Sequence, residues 1–478
     1  MNYKLMRYVI GWLIIFESVF MFFSGMVAVI YRERALHAFL VSMLFGLVIG
    51  GLFIMKKPKD KSMYAKDGFV IVSVSWLVLS LYGAVPFVLS HNIPDVLNAV
   101  FESVSGFTTT GATILGEIES LEKSILFWRS FTHWIGGMGV LVFIMAILPL
   151  AGGSNIYLMK AESTGPDVSK LVPRMRNTAV ILYSMYFGLT IVEMVLLLLA
   201  GMSPYEAVTT AFSTAGTGGF AVKNNSLAGY SPAIQNIVTI FMILFGVNFN
   251  VYYLLLCRKV KAALYNTELK VYIAILAISS IVVAINISHI YGSFGIALQQ
   301  SAFQIASMMS STGFATTDFN LWPEFSKMVL VLVMMIGACA GSTGGGIKVS
   351  RIVILAKSLK KELEVNVHPR NIKKIKLNGR LIEHEVIRSV NTFMVAYIAI
   401  YAISVLIISL DNFDFTTSFT AVSAMINNTG PGLAAVGPAE NFAKFSILSK
   451  CVCIFDMLAG RLELFPLLIL LSPTTWKK

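Results

Sequence analysis

Ser105-Gly106-Phe107-Thr108-Thr109-Thr110-Gly111-Ala112-Thr113 is a polar stretch hinged on glycine, behind a short amphipathic segment and ahead of a long apolar one. The arrangement returns three times, around Thr217-Gly218-Gly219, Ser311-Thr312-Gly313 and Asn428-Thr429-Gly430. With Gly111, Gly219, Gly313 and Gly430 aligned, the residues two places earlier are Thr109, Thr217, Ser311 and Asn428, each with a hydroxyl or amide. Six places earlier stand Ser105, Ser213, Ser307 and Ala424, all small. The second copy also fits one residue out of step, because Gly218 and Gly219 are adjacent. Such self-similarity marks internal repeats. Four polar glycine loops in an apolar chain can close a ring of backbone carbonyls, a device that selects monovalent cations.

Of the 478 residues, 56% are hydrophobic and 13% charged, and the mean hydropathy is +0.76. That balance excludes a soluble globular protein and fits a polytopic membrane protein. Apolar runs lie near 8–30, 36–55, 68–90, 124–150, 178–200, 232–257, 270–290, 325–356, 389–410 and 445–471. Most are long enough to cross about 30 Å of hydrocarbon at about 1.5 Å per residue. The first run follows Lys4 and Arg7 but is too long for a signal peptide and ends at no clear cleavage site, so it reads as a retained span.

The net charge is +12, and its placement is informative. Lysine and arginine cluster in residues 56–66, 160–176, 258–270, 357–388 and 477–478, all on the side of the N-terminus by span count. The opposite loops carry Asp95, Glu117, Glu119, Glu122, Glu206, Asp318, Glu324, Asp411, Asp414 and Glu440, with Arg32 and Arg34 as exceptions. This positive-inside pattern predicts cytoplasmic termini and accounts for the charge without nucleic acid. Cys257, Cys339, Cys451 and Cys453 lie in or at the ends of apolar runs, which suits small buried hydrophobes better than disulfides or zinc.

The predicted fold is an all-α polytopic membrane protein, with four helix–pore-loop–helix repeats around a pseudo-four-fold pore and an N-terminal helical hairpin. The expected divisions are a hairpin over 1–62, repeat 1 over 63–165, repeat 2 over 166–264, repeat 3 with a basic cytoplasmic linker over 265–384, and repeat 4 over 385–478. The half-length segments carry helix-start signals: Pro94-Asp95, the capping box Ser203-Pro204-Tyr205-Glu206, Ser293 and Asp414. Each is predicted to run about 10–12 residues, roughly 16 Å, and to stop at mid-membrane. Its C-terminal dipole end, about half a negative charge, then faces the glycine loop and favours a cation.

A desolvated cation needs oxygens at a fixed radius, and glycine lets the backbone supply them without obstruction. Thr110, Thr312 and Thr429 can add hydroxyl oxygens, and Phe220, Phe314 and Pro431 can wedge the loops. Repeat 3 has a second glycine-rich stretch, Gly337-Ala338-Cys339-Ala340-Gly341-Ser342-Thr343-Gly344-Gly345-Gly346. Each glycine costs helix about 1 kcal/mol relative to alanine, so a break at mid-membrane is expected. A flexible plug under the filter and close packing through small residues both fit. Lys348 and Arg351 flank it, and Ile347 stands where a P-loop would have lysine, so this chain is expected to bind no nucleotide itself.

Arg461 lies in the last apolar run, where a charge costs at least about 2.5–3.5 kcal/mol. It is either a functional cation facing the pore or the partner of Glu463 or Asp456. Arg129, His133 and Glu193 are candidates for internal pairing. Gly136, Gly137 and Gly139 are expected to bend the second helix of repeat 1. Residues 357–388, with Pro369 and Gly379, suit anionic lipid headgroups or a cytosolic partner. Four units running in one sense argue against an inverted-repeat transporter, and the lack of clustered catalytic dyads argues against an enzyme.

Residues 105–113, Phe212-Ser213-Thr214, Gly218-Gly219-Phe220, Ser311-Thr312-Gly313-Phe314-Ala315-Thr316, Asn427-Asn428-Thr429-Gly430-Pro431-Gly432 and His133-Trp134-Ile135-Gly136-Gly137-Met138-Gly139 carry a resemblance that covers the whole chain. The sequence resembles the TrkH-like membrane subunits of Trk-type potassium-uptake systems, in the Trk/Ktr/HKT superfamily. The resemblance implies a potassium filter at Thr109, Thr110, Gly111, Thr217, Gly218, Gly219, Ser311, Thr312, Gly313, Asn428, Thr429 and Gly430. It implies a gate at Gly337, Gly341, Gly344, Gly345, Gly346 and Lys348, and Arg461 as a positive barrier below the filter. It further implies a homodimer in the cytoplasmic membrane and a TrkA-like cytosolic subunit that binds nucleotide. Gly111, where some relatives carry serine and prefer sodium, favours potassium. Coupling to protons or sodium is left open.

Overall fold

The computed structural model describes residues 1–59, 64–137, 139, 175–368 and 374–476. Six helices within them are long and apolar enough to cross a membrane: Tyr3–Tyr31, Leu36–Ile54, Lys66–Leu89, Val180–Leu199, Thr267–Tyr291 and His384–Asp411. The first two form the N-terminal hairpin, and their backbones approach closely where Gly11 meets Gly50. Tyr82 fastens the hairpin to the rest: its hydroxyl meets Ser18 Oγ at 2.7 Å and donates to the Ser42 carbonyl at 2.7 Å.

Each of the other four spans leads into a short helix. These are Val96–Phe107, Pro204–Gly216, Phe294–Met309 and Phe415–Ile426, of 12, 13, 16 and 12 residues. They start where the capping residues predict. Asp95 accepts from the Asn98 amide, Ser203 from the Glu206 amide and Asp414 from the Thr417 amide; Ser293 takes the N-cap position without a side-chain bond. After the glycine loops come Lys123–Gly137, Pro232–Phe245, Glu324–Ile336 and Ile447–Arg461.

The second helices depart from expectation. The sequence predicts a break in repeat 3, and there the chain leaves helix at Ile336 and resumes at Val349. The run near 232–257 is also two helices, Pro232–Phe245 and Phe249–Leu256, bent by 89°. The run near 445–471 breaks between Arg461 and Phe465, with Glu463 and Leu464 at φ of 58° and 65°. Backbone freed at membrane depth must find partners in protein. At the repeat 2 break, Asn248 caps the new helix through the Asn250 amide, the Gly246 carbonyl accepts from Cys339 N–H, and Phe249 N–H donates to Gly341. Two breaks therefore satisfy each other, a pairing invisible to hydropathy. The remainder of the run near 124–150, Met138, most of the cluster at 160–176, the boundary between repeats 1 and 2, Pro369 and residues 477–478 lie outside the described residues.

The basic linker holds a feature that the all-α expectation omits: an antiparallel hairpin pairing Lys376–Leu377 with Arg380–Leu381. Its turn, Asn378-Gly379, has positive φ at both residues, 51° and 78°, as a two-residue hairpin turn requires.

Candidate cation filter and intramembrane loop

All four short helices end in the same way. Thr109, Thr217, Ser311 and Asn428 take left-handed φ of 57°, 54°, 59° and 52°. The next amide in each loop (Thr110, Gly218, Thr312, Thr429) bonds back to the carbonyl of Ser105, Ser213, Ser307 or Ala424 at 2.8–2.9 Å. This is a Schellman ending built on a non-glycine residue, a conformation that costs of order 1–3 kcal/mol at each loop and persists because surrounding structure imposes it. The glycine that follows has φ of 81°, 77°, 81° and 90° at Gly111, Gly219, Gly313 and Gly430. The ambiguity in repeat 2 is thereby resolved: Gly219 is the equivalent glycine, and Gly218 corresponds to Thr110, Thr312 and Thr429.

The loops touch in cyclic order. A Cβ on Gly111 would lie 1.9 Å from the Gly218 carbonyl oxygen, and one on Gly219 would lie 2.0 Å from that of Thr312. On Gly313 it would lie 2.1 Å from the Thr429 oxygen, and on Gly430 it would lie 2.6 Å from the Thr110 oxygen. The fourth loop thus returns to the first, and each junction sets a glycine against a backbone carbonyl. Those four carbonyls accept no hydrogen bond among the described residues. Buried backbone oxygens are normally satisfied, which makes this set of four exceptional. The hydroxyls of Thr110 and Thr312 are engaged within their loops, with Thr108 at 2.8 Å and Ser310 at 2.7 Å. Asn428 crosses from loop four to loop one by donating to Thr110 Oγ1 at 2.9 Å.

Behind the ring, His133 joins two repeats. Its Nδ1–H donates to the Gly106 carbonyl at 2.7 Å and its Nε2 accepts from Phe220 N–H at 3.2 Å, which assigns the neutral tautomer. Phe220 lies against this ring and also under the Arg129 guanidinium, at centroid distances of 4.2 Å and 4.0 Å. Arg129 is ion-paired with Glu102 at 2.6 Å, both fully buried. Glu102 also accepts from the Thr113 hydroxyl and the Ile114 amide, fixing the segment that leaves loop one. Glu102 is absent from the sequence-based candidates, and the signal for it is that it is the one charged residue in the half-helix Val96–Phe107. Glu193 is fully buried and forms no salt bridge among the described residues.

The 337–346 loop sits directly against the ring. Gly345 N–H donates to Ser311 Oγ, and a Cβ on Gly345 would lie 2.2 Å from the Asn427 carbonyl oxygen. Gly344 packs against the Ser310 carbonyl, and Gly337 against Gly346. Lys348, buried at φ of 83°, donates to the Gly344 carbonyl, and Thr343 Oγ1 donates to Phe245. The loop is a hydrogen-bonded fold rather than a loose tether. Arg461 pairs with neither Glu463 nor Asp456. It donates to the carbonyls of Thr343 at 2.9 Å, Gly137 at 2.7 Å and Gly136, bridging the loop to repeat 1. Glu463 instead takes Arg351, and Asp456 accepts from Ser404.

Six helices long and apolar enough to cross a membrane, with four short helices that end in cyclically packed glycine loops, define a polytopic membrane protein. The family model described as TrkH, cation transport protein, matches residues 34–478. The chain is 37% identical to the Trk system potassium uptake protein TrkH of Salmonella typhimurium, over 100% of both. It is 33% identical to the Trk system potassium uptake protein TrkG of Escherichia coli K12, over 99% of both. The crystal structure of the potassium transporter TrkH from Vibrio parahaemolyticus matches with a TM-score of 0.90 at 35% identity, covering 100% of each chain. The chain belongs to the TrkH family of cation transport proteins; it is a membrane transport protein, not an enzyme.

Proposed function

We propose that this chain takes up potassium across the cytoplasmic membrane through the ring of loops, with the carbonyls of Thr110, Gly218, Thr312 and Thr429 as filter ligands. The carrying observation is that these four oxygens stand at equivalent positions, each against a neighbouring glycine, and accept no hydrogen bond among the described residues. A potassium ion replaces its hydration shell with them, and the converging C-terminal ends of the half-helices supply negative potential. Potassium is thus the ion bound, and it is the substrate.

In this reading the 337–346 loop is the gate, because it packs against the loops of repeats 3 and 4, and Arg461 places a positive charge beside it. Opening moves the loop away from Ser311 and Asn427. The protein works as a homodimer with a TrkA-like, nucleotide-binding cytosolic subunit docked near the basic linker. Both termini are cytoplasmic, lipid covers the exposed apolar faces, and the repeats follow the divisions given above.

Rubidium uptake by purified protein in liposomes, with sodium and proton gradients varied separately, tests this. Saturable uptake competed by potassium and not by sodium is expected, and its dependence on either gradient identifies the coupling ion. Uptake equally competed by sodium would overturn the filter.

A further inference from the structure

Glu268 opens the first span of repeat 3 and is buried. One oxygen of its carboxylate accepts two backbone amides from the broken helix: Ala340, within the loop, at 2.7 Å, and Ser350, just beyond it, at 3.1 Å. A single carboxylate thus pins the loop and the helix that follows it to a neighbouring span. The preceding residue, Thr267, donates its amide to Asn378 Oδ1 at 2.7 Å. Asn378 forms the turn of the linker hairpin, which is also held by Lys357 Nζ donating to the Lys376 carbonyl at 2.8 Å. Adjacent residues therefore connect the linker hairpin to the loop.

We propose that Glu268 is the positioning residue that holds the 337–346 loop shut, and that the Asn378 turn is the handle through which the linker releases it. The proposal rests on the loop being the gate. One oxygen accepts both amides, so removing it strands two buried N–H groups at once. Displacement of the hairpin pulls Thr267, carries Glu268 with it and frees Ala340.

Glu268→Ala, Asn378→Ala, the double variant and a chain with residues 337–346 shortened are compared with the parent in liposomes without a cytosolic partner. Glu268→Ala, which removes the shared acceptor, is expected to raise basal rubidium influx about tenfold or more and Asn378→Ala by about threefold, both at unchanged potassium-over-sodium ratio. The double variant should not exceed Glu268→Ala, because the residues act in series. Hydrogen exchange of the Ala340 amide should quicken in Asn378→Ala, a readout that stands even if Glu268→Ala fails to fold. Parental influx and exchange in Asn378→Ala overturn the proposal, as does parental influx in folded Glu268→Ala. If the shortened chain still leaks, the gate reading survives that failure; a tightly closed shortened chain removes the gate itself.

Discussion

Replacing Gly111 with serine bears directly on the filter. The new Cβ would stand 1.9 Å from the Gly218 carbonyl oxygen, whereas ordinary contact begins at 3.4 Å. Loops one and two must separate by about 1.5 Å, or the Gly218 carbonyl must rotate out of the ring. Functional constellations tolerate roughly 0.5 Å, so either response changes the ligand radius. The backbone adds strain, since φ of 81° suits glycine and costs another residue of order 1–3 kcal/mol. Together these should remove about 1.4–2.7 kcal/mol of discrimination, or roughly 10–100-fold in the potassium-over-sodium ratio. The assay is competitive rubidium and sodium influx in liposomes at matched protein density, with Gly188→Ala as control because nothing lies within 4 Å of its Cβ position. A parental ratio in Gly111→Ser would refute the filter assignment; Gly313→Ser, 2.1 Å from the Thr429 oxygen, should behave alike.

Arg461→Ala should raise flux, because it removes a cation held beside the loop by three carbonyls; equal or lower flux at normal surface expression counts against the barrier. Glu102→Gln leaves Arg129 buried without its counter-charge and should cost about 3–5 kcal/mol, read as a lower melting temperature in detergent, with Glu102→Gln/Arg129→Met recovering part of it. Potassium, and not sodium, should stabilise the purified protein, by about 2.7 kcal/mol at a hundred times its dissociation constant, and Gly111→Ser should abolish that difference. Bonds from Thr417 hold the Asp414 carboxyl below its ordinary range, so its contribution is present above that range and lost as pH falls through the lowered value; Asp414→Ala should flatten the acid limb of a stability profile.

Much of the architecture was legible because its causes are local. Capping residues at Asp95, Ser203 and Asp414 mark helix starts through bonds to amides three residues away. Spacing from Ser105 to Gly111, repeated three times, marks a helix ending closed by a bond over five residues. The glycines of 337–346 announce a break through helix propensity alone. The breaks after Phe245 and Arg461 are not legible in hydropathy because the runs around them stay apolar as a whole; the first is stabilised by backbone bonds to the distant segment at Cys339 and Gly341, the second by local bonds in a left-handed turn at Glu463 and Leu464.

Pairing of charges was the least legible part. Arg461 has two acids close in sequence, Asp456 and Glu463, yet it bonds to carbonyls more than one hundred residues away. The sequence by itself determined a membrane protein with four equivalent glycine loops, since hydropathy, caps and left-handed turns depend on neighbours along the chain. Only the tertiary structure decided that the loops close in cyclic order, that Gly219 is the glycine equivalent to Gly111 while Gly218 presents its carbonyl to loop one, and that Glu268 grips the broken helix. Those outcomes depend on which backbones can approach within van der Waals distance, and that is set by the packing of helices far apart in the chain.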